Sequence, residues 1–124
     1  MAATLKPFAG TPFDFAVQTD SEPIALMEQI AAALKSAGWI RKKWSGGGSD
    51  MVFNPPGGEP QAGIISSQGI DIQIAESRLP DFGTAAGKLY LALKAADLAI
   101  RVQAIPDAKG VKPDAIHILI GTKP

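Results

Sequence analysis

His117 is the single histidine of the chain. An imidazole titrates near neutral pH, so it can act as a general base or bind a metal. Either role needs partners, and no evident carboxylate or serine accompanies it. It sits inside the apolar run Ala115-Ile116-His117-Ile118-Leu119-Ile120. The ordinary reading is a strand histidine, either satisfied in the core or exposed at an edge. One histidine among scattered carboxylates offers no metal-ligand spacing. The chain has no cysteine, which excludes thiol nucleophiles, thiolate metal sites and disulfides. Ser66 and Ser67 do not stand in the sharp strand-to-helix turn that exposes a nucleophilic serine. Gly46-Gly47-Gly48 lacks the Gly-Lys-Ser/Thr ending of a phosphate loop and the spacing of the dinucleotide fingerprint, so it reads as a connector. No catalytic residue, metal or cofactor is expected.

Trp39-Ile40-Arg41-Lys42-Lys43-Trp44 mixes aromatic and basic residues. Base stacking combined with phosphate contact is a known way to hold nucleic acid. Strand alternation, however, puts the two indoles on opposite sides. The 12 Lys and Arg are matched by 12 Asp and Glu, and a balanced chain has no broad field to draw in a polyanion. Nucleic acid is not an expected partner.

The elements that must position any site follow from periodicity. Phe13, Phe15 and Val17 alternate with Asp14 and Ala16, which predicts a strand over 13–17. Ser21 as a cap and Pro23 in the first turn open a helix. Its apolar face carries Ile24, Met27, Ile30, Ala31 and Leu34, and it runs to Ala37, where Gly38 stops it. A strand follows over 39–44. The glycine- and proline-rich stretch 45–62, with Met51-Val52-Phe53 inside it, reads as a long loop holding a small hairpin. Ile64-Ile65 can begin a strand, but Ile70-Asp71-Ile72-Gln73-Ile74 is the clean one. Pro80 opens a second helix to Ala96, with Phe82, Ala86, Leu89, Leu93 and Ala96 as its buried stripe. Strands over 98–104 and 115–120 complete the chain, joined by a loop over 106–114. Phe13-Asp14-Phe15 resembles Ile70-Asp71-Ile72, and Ala33-Leu34-Lys35 resembles Ala92-Leu93-Lys94, a hint of internal duplication.

These elements predict one α/β domain over residues 1–124, built from two β-α-β units. Right-handed crossovers between parallel strands, with the first and third strands side by side, give sheet order 2-1-3-4 and the fifth strand at an edge, antiparallel to the fourth. The helices then lie on opposite faces, a three-layer sandwich with a mostly parallel sheet. The steadily apolar last strand favours cover on both faces. The alternative is a two-layer split β-α-β arrangement with both helices on one face.

In an open sheet ligands bind at the carboxyl ends of strands where the winding reverses. That point predicts a site between Thr19, Asp20 and Ser21, after the first strand, and Glu76, Ser77 and Arg78, after the third. Both segments precede a helix N-terminus, where free N–H groups favour a small polar or anionic ligand. Ordinary capping by Asp20 and Ser21, with Glu76 and Arg78 as a surface pair, reads the same residues without a ligand. On the second helix Leu91 falls about 180° from the buried stripe and Tyr90 on its flank, so the two can mark contact with a partner protein or a second copy.

No apolar run reaches the roughly 20 residues that span a bilayer, so direct membrane insertion is not expected. Ala2-Ala3-Thr4-Leu5-Lys6, stopped by Pro7 and closed by Gly10, reads as the tail of a helix, and the chain is expected to be a piece of a longer protein. Lys6-Pro7-Phe8-Ala9-Gly10 with Phe13, Ala33-Leu34 with Ala37-Gly38-Trp39, and Ala115 to Gly121 with Lys123 resemble the C-terminal soluble domain of uncharacterised bacterial membrane-anchored proteins. These motifs are structural: a helix end, a helix-to-strand turn and a last strand. The resemblance implies a membrane-tethered parent and assigns no functional residue. The compartment is left open. The expected function is that of an interaction or sensory domain, with ligand binding and then catalysis as the alternatives.

Overall fold

The computed structural model describes residues 2–44, 52–53, 60–65, 68–96, 98–106 and 113–122. Ser66, Ser67, residues 46–48, Met51 and most of the 106–114 loop lie outside the described residues. The elements run α1 (Ala2–Leu5), β1 (Pro12–Val17), α2 (Ser21–Ser36), β2 (Ile40–Arg41), β3 (Val52–Phe53), β4 (Ala62–Ile64), β5 (Ile70–Ala75), α3 (Leu79–Ala95), β6 (Ile100–Ile105) and β7 (Ile116–Ile120). Single 3-10 turns, Lys6–Phe8 and Glu76–Arg78, precede β1 and α3.

The class is mixed α/β with a mostly parallel sheet, as the periodicity predicts. Among the described residues the sheet runs β3-β4-β1-β7-β5-β6, with β2 also against β1. The strand expected at the edge is central. β7 enters between β1 and β5, parallel to β1 and antiparallel to β5. A continuous apolar run fits an interior strand as well as one covered on both faces, and here it marks the interior strand.

This insertion turns β5 against β1 and changes the layers. Two right-handed crossovers that move outward in opposite directions, from strands that also point in opposite directions, put their helices on the same face. The register agrees. Phe13, Phe15 and Val17 stand beside Ile116, Ile118 and Ile120, and Ile118 and Ile120 stand beside Ile72 and Ile70. Alternation therefore gathers all of these on one face. They form a single core with Met27, Ile30 and Leu34 of α2 and Phe82, Ala85, Ala86, Leu89 and Leu93 of α3. Both long helices cover that face, the two-layer arrangement. The buried Leu5 joins the same core, and α1 touches both long helices.

Gly38 ends α2 as its sequence predicts. Its φ is +86°, and Trp39 N–H donates to the Leu34 carbonyl while Gly38 N–H donates to Lys35. That is the double cap of a left-handed glycine closure. Trp39 then turns into the core, and its indole N–H donates to the Leu5 carbonyl at 3.0 Å, tying α1 to the end of α2.

The central place of β7 sets an expectation for stability. Ile118→Ala should lower the unfolding free energy by about 2–5 kcal/mol, the usual range for such core truncations. Val102→Ala on β6, where the valine is 41% exposed, should change it by less than about 1 kcal/mol. Urea denaturation of the two variants checks the contrast; equal losses would contradict an interior β7.

Candidate functional site

Among the described residues no helix covers the other face of the sheet, and this helix-free face collects the polar strand residues. Asp14 on β1 stands beside His117 on β7, His117 beside Gln73 on β5, and Asp71 and Gln73 beside Arg101 and Gln103 on β6. A row of polar side chains thus crosses four strands. It has a sealed end and an open end.

At the sealed end His117 Nδ1 lies 2.6 Å from Asp14 Oδ1, with the side chains 1% and 0% exposed. With a carboxylate as partner, Nδ1 carries the proton and donates it. This short, charge-assisted bond joins residues 103 positions apart. The Trp44 ring meets the His117 ring edge-on, with centroids 5.6 Å apart. Trp44 is held by its backbone N–H, which donates to the Gln61 carbonyl, and its indole lies flat on Gly63. A Cβ at Gly63 would come within 2.6 Å of Trp44 Cδ1, so only glycine lets the ring seat there. The indole N–H is buried and has no hydrogen-bond partner among the described residues.

At the open end the Asp71 carboxylate, on a residue only 7% exposed, accepts from Gln73 Nε2 at 2.8 Å and from Gln103 Nε2 at 2.9 Å. Arg101 Nη2 reaches it at 3.4 Å from a side chain that is 73% exposed. An ion pair that long and that wet contributes little to stability. The effect of the cluster is positional: a nearly buried carboxylate holds two half-buried amides along β5 and β6, with one arginine beside them. Each glutamine that donates through nitrogen leaves its amide oxygen as an acceptor.

The residues expected to form a rim at the strand ends do not come together. Gln18, at the end of β1, donates its backbone N–H to the Ile120 carbonyl at the end of β7, whereas Arg78 donates to the Pro113 carbonyl before the start of β7. Thr19, Asp20 and Ser21 therefore lie at one end of the sheet and Glu76, Ser77 and Arg78 at the other, because β1 and β5 run in opposite directions. Asp20 is the residue before α2 and makes no side-chain cap bond; its carboxylate accepts from Gln18 Nε2 at 3.0 Å. Arg78 pairs with Asp81 at 2.8 Å rather than with Glu76, and its guanidinium stacks on Phe82. Thr19, Ser21, Glu76 and Ser77 are exposed. Leu91 is 57% exposed, while Tyr90 packs partly against the core with Lys94 over its ring. The two tryptophans do face opposite sides, Trp39 toward Phe13 and Trp44 toward His117.

Sequence reasoning missed Asp14, Asp71, Gln73, Arg101 and Gln103 as site residues. The signal was the aspartate itself: one flanked by large apolar residues in a strand is bound for burial, where it needs donors. His117 in an equally apolar strand is the natural donor for one of the two. Among the described residues no group of acidic and histidine side chains is arranged to hold a metal. No helix among them is long and apolar enough to cross a membrane. Comparison of the chain with protein-family models, curated proteins and solved structures returned no match.

Removing one partner of the sealed pair takes a 2.6 Å hydrogen bond from a buried polar group. Asp14→Ala and His117→Ala should each destabilise the fold by about 1–3 kcal/mol, the usual cost of breaking a buried hydrogen bond. The double variant should lose less than the two together, by about 0.5–3 kcal/mol. Chemical denaturation of all four proteins checks this, and strictly additive losses would refute the coupling. Gly63→Ala should displace Trp44 and change the tryptophan emission spectrum; an unchanged spectrum would contradict the seat.

Proposed function

We propose that the chain is a binding domain rather than an enzyme, the interaction or sensory part of a bacterial membrane-tethered protein, and that it meets its partner through the helix-free face over β5 and β6. The tether rests on the family resemblance of the helix end, helix-to-strand turn and last strand. The face rests on the Asp71 cluster, the one observation that carries this reading. Gln73 and Gln103 are set in place by a carboxylate that is itself nearly buried, and Arg101 reaches the same carboxylate from solvent. Side chains fixed before binding lose less entropy on complex formation.

The chemistry of the row favours a polar partner. Arg101 donates to carboxylates or carbonyls, and the glutamine oxygens accept N–H and O–H. A polar or acidic peptide segment supplies both kinds of group. Catalysis is disfavoured by the placement of the acid–base pair: His117 and Asp14 are sealed, whereas a general base must come within about 3 Å of the proton it takes.

Titration of the 15N-labelled chain with pools of acidic and of amidated tetrapeptides tests the reading. The side-chain amide resonances of Gln73 and Gln103 should move with the acidic pool. Arg101→Ala should weaken that response roughly tenfold or more, the scale of one hydrogen bond to a charged group. No response to either pool at millimolar concentration, or a response that survives both Arg101→Ala and Gln103→Ala, would overturn it.

A further inference from the structure

β6 ends the sheet. Among the described residues it pairs with β5 alone, so its outer edge carries unpaired backbone N–H and C=O groups. Natural proteins usually blunt such an edge with charged side chains, proline, a bulge or a short strand. β6 has six residues, Ile-Arg-Val-Gln-Ala-Ile, with no proline, and its one charge, Arg101, stands beside Asp71 of the same sheet. It pairs residue for residue with β5, without a bulge. Val102 stands on its helix-side face, 41% exposed.

α3 lies above this edge, packed over β5 and β6. Its buried stripe centres on Phe82, Leu89 and Leu93. At about 100° per residue, Gly83, Gly87 and Tyr90 fall on one flank of that stripe and Ala85 and Ala92 on the other. A right-handed crossover from β5 to β6 turns the first flank toward the open edge. The second turns inward, in keeping with the burial of Ala85. A Cβ at Gly87 would meet nothing within 4 Å, and one at Gly83 only Leu79 of the same helix. Each glycine inside a helix costs about 1 kcal/mol relative to alanine, and packing among the described residues requires neither.

We infer that β6 is the dimerisation edge of this chain, and that its occupant is β6 of a second copy, paired antiparallel about a two-fold axis perpendicular to the sheet. Spacing selects a copy over a lone peptide. Paired strands lie about 4.8 Å apart. With α3 seated over the β5–β6 gap, the two-fold brings the two α3 helices to about 10 Å, the upper end of ordinary helix packing. The glycine flanks then face each other and are covered. A peptide strand would satisfy the edge and leave them bare.

Side-chain chemistry fits the same register. Opposed residues of an antiparallel pair share a face. Val102 opposite its symmetry mate places Arg101 of each copy opposite Gln103 of the other. The Gln103 nitrogen is committed to Asp71, so its oxygen is the acceptor that Arg101 meets across the seam. No like charges stand opposed, and a net formal charge of +0 does not resist association. Edge pairing draws Arg101 and Gln103 into the seam, but the inference rests on the open edge and the glycine flank and not on what the polar face binds.

Sedimentation velocity from micromolar to millimolar concentration tests it with the intact chain. The wild type should pass from monomer to dimer. Gly87→Glu adds bulk and charge on the facing flank and improves helix propensity. It should weaken dimerisation at least tenfold while leaving thermal unfolding at low concentration unchanged or raised. Val102→Lys should weaken it similarly. A wild type that stays monomeric at millimolar concentration, or a dimer that persists in either variant, would overturn the inference.

Discussion

The antiparallel pairing of β7 with β5, while β7 runs parallel to β1, governs the rest of the structure. It reverses one β-α-β unit relative to the other. Crossover handedness is fixed by strand twist and helix sense, so the reversal sends both helices to one side. That face becomes the core, and on the other the described residues place no long helix. Polar strand residues are tolerable there only if they satisfy one another.

Asp14 and His117 answer that requirement and also fix the register. A buried polar pair is weak evidence of net stability, because desolvation offsets much of the attraction. Its energy against alternatives is another matter. Sliding β1 by one residue along β7 would set Asp14 against Ile116 or Ile118 and break the buried Asp14–His117 bond, at a cost of about 1–3 kcal/mol. The same slip would turn Phe13 and Phe15 out of the core. The pair therefore selects the pairing of two distant strands more than it adds to their cohesion.

Local elements were readable because their signals are local. The alternation of Phe13-Asp14-Phe15 and Ile70-Asp71-Ile72, the stripe Met27, Ile30, Leu34, and the closure at Gly38 each need only a few neighbours in sequence. Strand order was not readable, because it turns on one long-range choice: whether β7 lies outside β6 or inside β1 and β5. Its apolar run is compatible with both, and the expected loop-end rim depended on the wrong one. The expected strand over 39–44 shortens to Ile40–Arg41 because β4 takes the remaining length of the β1 edge. Burial logic applied to Asp14 and Asp71 would have reached further than motif matching, since a carboxylate between two large apolar residues announces a partner wherever the chain supplies one.

The two halves of the domain use the same apolar-Asp-apolar strand in opposite ways. In the β1 half the carboxylate is capped by histidine and sealed beneath Trp44, whose ring can lie there only because residue 63 is glycine. In the β5 half no aromatic lid closes over Asp71 among the described residues. Its donors are long side chains from the neighbouring edge strand, and one of them, Arg101, stays mostly in water. Sealing gives rigidity and removes chemistry from reach, whereas an open network keeps its geometry and remains addressable. Among the described residues the polar row meets solvent in the β5–β6 half, where the sheet ends. The β1 half is the frame that holds it.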